Sequence, residues 1–259
     1  MVIEYEYMKS GMQAIEKFLK EWKDRKEFEG AILCGSYAIG CQKENSDVDI
    51  MIVLSDETRR WERGNVRIDG YLIEYMADPV FFWKKSFKDG YELEKKVSVG
   101  MFAVGQVLVD KNGAVAKLKS EAGVIMKKPF KKMSRREIEM AKYHLYDGIS
   151  KLESLSGEGF VKYAPLYYLH LSKIINFYAS FRRIQIPATA KIYKFFNDND
   201  FRERYELEGF SDKEFVGLVN NCFEEYSSIK NMVKLNDYVL DKWGGFNIDG
   251  WKLRTKIGV

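Results

Sequence analysis

Two aspartates one residue apart, Asp47-Val48-Asp49, open an apolar run that continues through Ile50, Ile52 and Val53 to Leu54. Such a run reads as a β-strand, and alternation along a strand sends both carboxylates to one face and Val48 to the other. Adjacent carboxylates repel unless a cation lies between them, and hard oxygen ligands suit Mg²⁺. A solvated strand end is the plainer alternative for an isolated pair. Upstream, the short apolar run Ala31-Ile32-Leu33-Cys34, begun at Gly30, ends in Gly35-Ser36. Glycine there lets the backbone come close to a phosphate, and the serine hydroxyl and exposed amides can donate to its oxygens. An ordinary turn is again the alternative. The third feature is Glu74, inside the otherwise apolar Tyr71-Leu72-Ile73-Glu74-Tyr75-Met76. A strand glutamate usually faces solvent. Aligned beside Asp47 and Asp49, it completes a three-carboxylate site of the kind that binds two Mg²⁺ ions, orients an attacking hydroxyl and offsets charge on a leaving pyrophosphate.

In this order, an apolar strand, Gly35-Ser36, a polar loop, Ser46-Asp47-Val48-Asp49-Ile50 and a later strand carboxylate resemble the polymerase-beta-like nucleotidyltransferase superfamily. The resemblance covers about Gly30 to Met76. It implies that Gly35, Ser36 and Ser46 hold the nucleoside triphosphate, that Asp47, Asp49 and Glu74 are catalytic and bind Mg²⁺, and that a nucleoside monophosphate is transferred. The segment Val104-Gly105-Gln106-Val107-Leu108-Val109-Asp110-Lys111-Asn112-Gly113, followed by a helical C-terminal half, looks like antibiotic nucleotidyltransferases acting on aminoglycosides or lincosamides. Those enzymes move AMP from ATP to a hydroxyl of a small molecule bound between two domains, and antibiotic resistance is implied here by that analogy alone. Some of them carry an acid and, one turn later, a lysine on the first helix of the second domain, as base and phosphate ligand. Asp147 and Lys151 have that spacing, opposite the apolar stripe of their helix. If they are instead an ordinary surface ion pair, Glu74 serves as the base. Lys191, in Pro187-Ala188-Thr189-Ala190-Lys191, is a further candidate phosphate contact.

These residues need a sheet with helices behind it, and the pattern predicts an α+β chain. A small mixed-sheet nucleotidyltransferase domain occupies 1–128, and an all-helical, substrate-binding bundle occupies 129–259. The first helix is read from the stripe Met8, Met12, Ile15, Phe18, Leu19 and Trp22. Strand signals stop near Lys127-Lys128-Pro129, after which Ser134 and Glu137 form a capping box ahead of Ile138, Ala141, Leu145, Ile149 and Leu152. A second helix is expected from Pro165, a third near Pro187, and a last long one from Ser211 through Phe215, Leu218, Cys222, Tyr226, Ile229 and Val233.

Composition limits the alternatives. With 42 basic and 38 acidic residues the net charge is only +4, and no basic, aromatic-rich stripe argues for nucleic acid. Three cysteines without metal-type spacing, and no segment resembling a secretory signal or membrane span, point to reduced thiols in the cytoplasm. Only two histidines, far apart, argue against a His-rich zinc centre or a Ser-His-Asp hydrolase. Transfer to a protein or RNA acceptor, as in antitoxin-type relatives, and a non-catalytic nucleotide-binding module are the competing functions. Oligomeric state and the role of the tail from Trp243 to Val259 are left open. One geometric expectation follows: the Asp47, Asp49 and Glu74 carboxylates converge within reach of one cation, and a Glu74 directed away from the pair would undo its assignment.

Overall fold

The computed structural model describes residues 2–254 and, in the first helix, side chains from Gly11 onward; the side chain of Met8 in the predicted stripe and the end of the tail lie outside what it describes. The chain divides after Lys128 into two compact units, with the short segment Arg204–Glu206 belonging to the first.

The first unit opens with helix α1 (Val2–Lys23), on which Ala14, Ile15, Phe18, Leu19 and Trp22 are buried. Met12, counted in the predicted stripe, is 38% exposed, and Ala14 takes the core position instead. Then follow β1 (Phe28–Cys34), the one-turn helix α2 (Gly35–Ala38), β2 (Val48–Leu54), β3 (Glu62–Ile68), β4 (Tyr71–Pro79), α3 (Val80–Glu92), α4 (Val97–Val104), β5 (Gln106–Asp110) and α5 (Ala114–Lys127). The strands form one sheet in the order β3-β4-β2-β1-β5. Only β2 and β4 run parallel; the other pairings are antiparallel.

Alternation along β1 and β2 builds two cores. Ala31, Leu33, Val48, Ile50, Ile52 and Ile73 pack with the α1 stripe on one face. Ile32, Cys34, Met51 and Val53 pack on the other against Trp83, Phe87, Val99, Phe102 and Leu118. Each large apolar side chain so buried contributes on the order of 2 kcal/mol, which fixes the strand faces firmly. Lys96, only 3% exposed, reaches the end of α5 and donates to the carbonyls of Met126 (3.1 Å) and Lys128 (2.6 Å), a favourable place for a cation. Burial, with Lys128 nearby, lowers its ammonium to about 8.

The second unit is helical: α6 (Arg135–Ser154), α7 (Phe160–Arg182), a 3₁₀ turn over Thr189–Lys191, α8 (Ile192–Asn197), α9 (Asn199–Arg204), α10 (Lys213–Glu224) and α11 (Ile229–Lys242). The Ser134 capping box forms, with Glu137 N on Ser134 Oγ and the Glu137 carboxylate on Ser134 N. Two sequence expectations need correction. Pro165 lies inside α7 rather than at its start, because Phe160, packed on Tyr163 (5.3 Å) and Tyr167 (6.1 Å), carries the helix back to Gly159. The long last helix is two, broken between Glu224 and Ile229 and capped separately by Asp212 and Ser228. The break is held by tertiary bonds: Tyr163 Oη donates to the Ser227 carbonyl (2.9 Å) and Tyr167 Oη to that of Cys222 (3.2 Å). Among the described residues no helix is long and apolar enough to cross a membrane.

Helix α7 packs closely on α6. A Cβ at Gly148 would lie 2.1 Å from His170 Nδ1, so only glycine lets the imidazole press on that backbone. His170 is 1% exposed, and its Nε2 meets Asn236 Oδ1 at 3.2 Å. Burial pulls its pKa from 6.5 to about 4, although the Asn236 bond acts the other way. Between those values the unfolded chain takes up a proton that the folded chain does not, so this stability is fully present above pH 6.5 and is lost on acidification toward pH 4. The full loss is at most about 3 kcal/mol. Urea unfolding should therefore show a midpoint that falls between pH 7 and pH 5, and His170→Gln should flatten that fall; equal pH dependence in both proteins would disprove the assignment.

Candidate active site

Asp49 lies in β2 and Glu74 in β4, and the parallel register sets them directly opposite one another. Asp47 immediately precedes β2, two residues from Asp49 and therefore on the same side. That is the side of Met51 and Val53, so the carboxylates continue an apolar face to its end, at the edge of the core. One oxygen from each of Asp47, Asp49 and Glu74 can be chosen so that all lie within 4.8 Å of one another. Asp47 is exposed and the other two are half-buried. Hard carboxylate oxygens are the donor type Mg²⁺ takes, and the widest oxygen–oxygen separation around such an ion is roughly 4.2 Å, so a cation would draw these groups slightly closer together. Glu74 points toward the pair, as the sequence pattern required.

Gly35 stands against this cluster. Its φ is +63°, and a Cβ there would lie 1.9 Å from Asp49 Oδ2. Glycine is needed twice over, for the left-handed backbone and for the carboxylate pressed on it. Ser36 follows in α2, and its carbonyl accepts from Cys41 N at 2.9 Å, closing the turn. No side chain caps the start of α2. Ser46 closes the next turn: its Oγ accepts from Lys43 N (2.8 Å) and its own amide donates to the Lys43 carbonyl (2.9 Å). Its hydroxyl thus shapes the approach to Asp47.

Several neighbours carry no sequence signal of their own. Asn65 on β3 is paired with Glu74 on the side away from Asp49. Cys34, opposite Asp49 in the pairing of β1 with β2, is fully buried, with Sγ 3.4 Å from the Met101 carbonyl. Burial, reinforced by the Asp49 charge, pushes its thiol far above the usual range, so it packs as a neutral group. Gln106, the first residue of β5, donates through Nε2 to the Ala38 carbonyl at 2.5 Å. Only strand register and the placement of β5 could have revealed these positions.

The remaining candidates belong to the second unit. Asp147 and Lys151 lie one turn apart on α6 and bond to each other, Nζ to Oδ2 at 2.6 Å. Lys191 is exposed at the end of the 3₁₀ turn.

Residues 15–142 match the family described as the nucleotidyltransferase domain. The chain carries a nucleotidyltransferase domain. The match spans the whole five-stranded sheet and includes Gly35, Asp47, Asp49 and Glu74. The protein is accordingly a nucleotidyltransferase, with a nucleotide as substrate. No curated protein matches the chain. Among solved structures it aligns with a nucleotidyltransferase-like protein from Exiguobacterium sibiricum 255-15 at 11% identity and a TM-score of 0.46, over 89% of this chain and 73% of that one.

The contact between Gly35 and Asp49 gives a direct test. Gly35→Ala must displace either the turn or the carboxylate, so Mn²⁺ affinity, measured by electron paramagnetic resonance, should fall at least about 10-fold, the scale seen when a metal ligand's support is removed. Unchanged affinity would show that the close approach has no bearing on cation binding.

Proposed function

We propose that this nucleotidyltransferase moves a nucleoside monophosphate, AMP from ATP, onto a hydroxyl of a small-molecule acceptor and releases pyrophosphate. The observation that carries the reading is the convergence of Asp47, Asp49 and Glu74 within 4.8 Å beside the Gly35 turn. These carboxylates would hold Mg²⁺, which when bound would neutralise phosphate charge and stabilise the leaving pyrophosphate.

In this reading the Gly35-Ser36 turn binds the triphosphate through backbone amides and the Ser36 hydroxyl, and Ser46 keeps Asp47 at its edge. The acceptor oxygen attacks the α-phosphorus in line. A new P–O bond forms as the bond from the α-phosphorus to the bridging oxygen breaks, and the electron pair leaves with pyrophosphate. Glu74, a half-buried carboxylate at the cluster, takes the hydroxyl proton. Orientation of the two reactants and neutralisation of the developing charge together contribute most of the acceleration. Asp147 is the alternative base, with Lys151 and Lys191 as phosphate contacts from the helical unit. A small acceptor is supported by the resemblance of the segment Val104 to Gly113, followed by a helical half, to aminoglycoside- and lincosamide-modifying enzymes, and by a net charge of only +4, which gives an RNA little to bind.

The protein should be incubated with Mg²⁺, each labelled nucleoside triphosphate and a panel of aminoglycosides, lincosamides, RNA and proteins. Pyrophosphate release with label on a small molecule is expected, and label confined to RNA or protein would overturn the acceptor class. Asp49→Asn should abolish measurable transfer. Of Glu74→Gln and Asp147→Asn, the variant that removes the base should slow the chemical step by on the order of 10²–10⁴-fold; full activity in Asp49→Asn would end the metal assignment.

A further inference from the structure

We propose that Gln106 is a positioning residue for the Gly35-Ser36 turn, holding it in its nucleotide-binding shape from behind through the Ala38 carbonyl. The inference rests on reading that turn as the triphosphate site.

The turn is tethered at its front by the contact of Gly35 with Asp49. Its rear end is Ala38, the last residue of α2. A one-turn helix leaves its final carbonyls without intrahelical donors. Gln106 supplies one: its Nε2 donates to the Ala38 oxygen at 2.5 Å, across 68 residues of sequence. The reach is set by the sheet. β5 lies antiparallel to β1 with Gln106 opposite Leu33, two residues before the turn begins. Leu108 is an extra residue in that pairing, since Ile32 faces Val107 and Ala31 faces Val109. A bulge of this kind bends a strand and re-aims its side chains.

The backbone from which Gln106 projects is itself fixed. Lys119 Nζ donates to the carbonyls of Ala103 (2.9 Å) and Gly105 (2.5 Å), clamping the junction of α4 and β5. Gly105 is packed so closely that a Cβ would lie 2.7 Å from the Met101 carbonyl and 2.8 Å from Ile32 Cδ1. From this fixed start a single amide reaches the turn. Gln106 is otherwise solvent-exposed, so it fills no space in the core and its removal leaves no cavity.

A side chain needed only for stability and one needed for the shape of the turn predict different results. MgATP binding should be measured by calorimetry in the wild type, Gln106→Ala and Gln106→Lys, with hydrogen exchange read at Gly35 to Ala38. Loss of one hydrogen bond at the site should raise Kd about 5–10-fold in Gln106→Ala, speed exchange across the turn, and lower Tm by less than about 3 °C. Gln106→Lys, which keeps a donor long enough to reach Ala38, should restore Kd to within about twofold and restore exchange protection. Normal binding in Gln106→Ala overturns the positioning role. So does weakened binding with unchanged exchange, or a lysine variant as weak as alanine. A wild type that binds none of the four nucleoside triphosphates, tested alongside, defeats instead the reading of the turn on which the proposal stands.

Discussion

The parallel register of β2 on β4 is the constraint on which the site depends. It sets Asp49 opposite Glu74 while Val48 and Ile73 pair on the other face, buried against α1. A slip of one residue would turn Glu74 into the α1 core and bring Ile73 to the carboxylates. The apolar contacts of Ile50, Ile52 and Ala77 hold that slip off, so the hydrophobic core determines where the acids lie. Three carboxylates held this close repel one another, and the fold tolerates them at the edge of the core where Asp47 remains exposed. The repulsion is the property a cation would relieve.

Gly35 couples the two halves of the site. Its left-handed backbone ends β1 and aims the chain into α2, and the absent Cβ leaves room for the Asp49 carboxylate. Asp49 and the Gly35 turn are therefore in van der Waals contact. Cys34, just before it and opposite Asp49 in the sheet, is a neutral neighbour of the acids. With its thiol held protonated by burial and by the Asp49 charge, it adds packing without adding a second negative group.

How much of this was legible in the sequence depends on which physical signal each residue carries. Asp47 and Asp49 were legible because a strand has period two, and Glu74 because it broke an apolar strand in a fixed order after them. The α+β architecture followed from the change of periodicity after Lys128. Asn65 and Gln106 were not legible: each is an ordinary polar residue whose partner, Glu74 across the sheet for Asn65 and the Ala38 carbonyl of α2 for Gln106, is set by the fold. Helices α3, α4 and α5 also went unread. In α4 the run Val97-Ser98-Val99-Gly100-Met101-Phe102-Ala103-Val104 is apolar nearly throughout, which periodicity does not separate from a buried strand. The false continuity of α10 and α11 has a different cause. Local pattern favoured one helix, and the hydroxyls of Tyr163 and Tyr167 on distant carbonyls decided for two.

The second unit follows a different logic from the first. Its core mixes aromatic rings with aliphatic side chains, and the half-buried Asp212 ties three of its helices together. Burial pushes the Asp212 carboxyl up, yet donors from Tyr178 (2.5 Å), Phe215 N (3.1 Å) and Tyr238 (2.8 Å) hold it below the usual carboxylate range while it caps α10. The tail belongs to this construction. Beyond Gly244 and Gly245, both at positive φ, it returns over α6, where Trp251 stacks on Tyr143 at 4.6 Å and Phe246 lies 5.5 Å from Tyr146. Tyr143 lies one turn before Asp147 on that helix and Tyr146 is next to it, so the surface beside the candidate base is built jointly by α6 and the tail. Such a surface is assembled from residues 100 positions apart, by ring geometry that no spacing rule describes. Transfer chemistry, by contrast, needs a few charged groups at fixed intervals along two strands. That difference is why the reaction could be read from the order of residues and the acceptor could not.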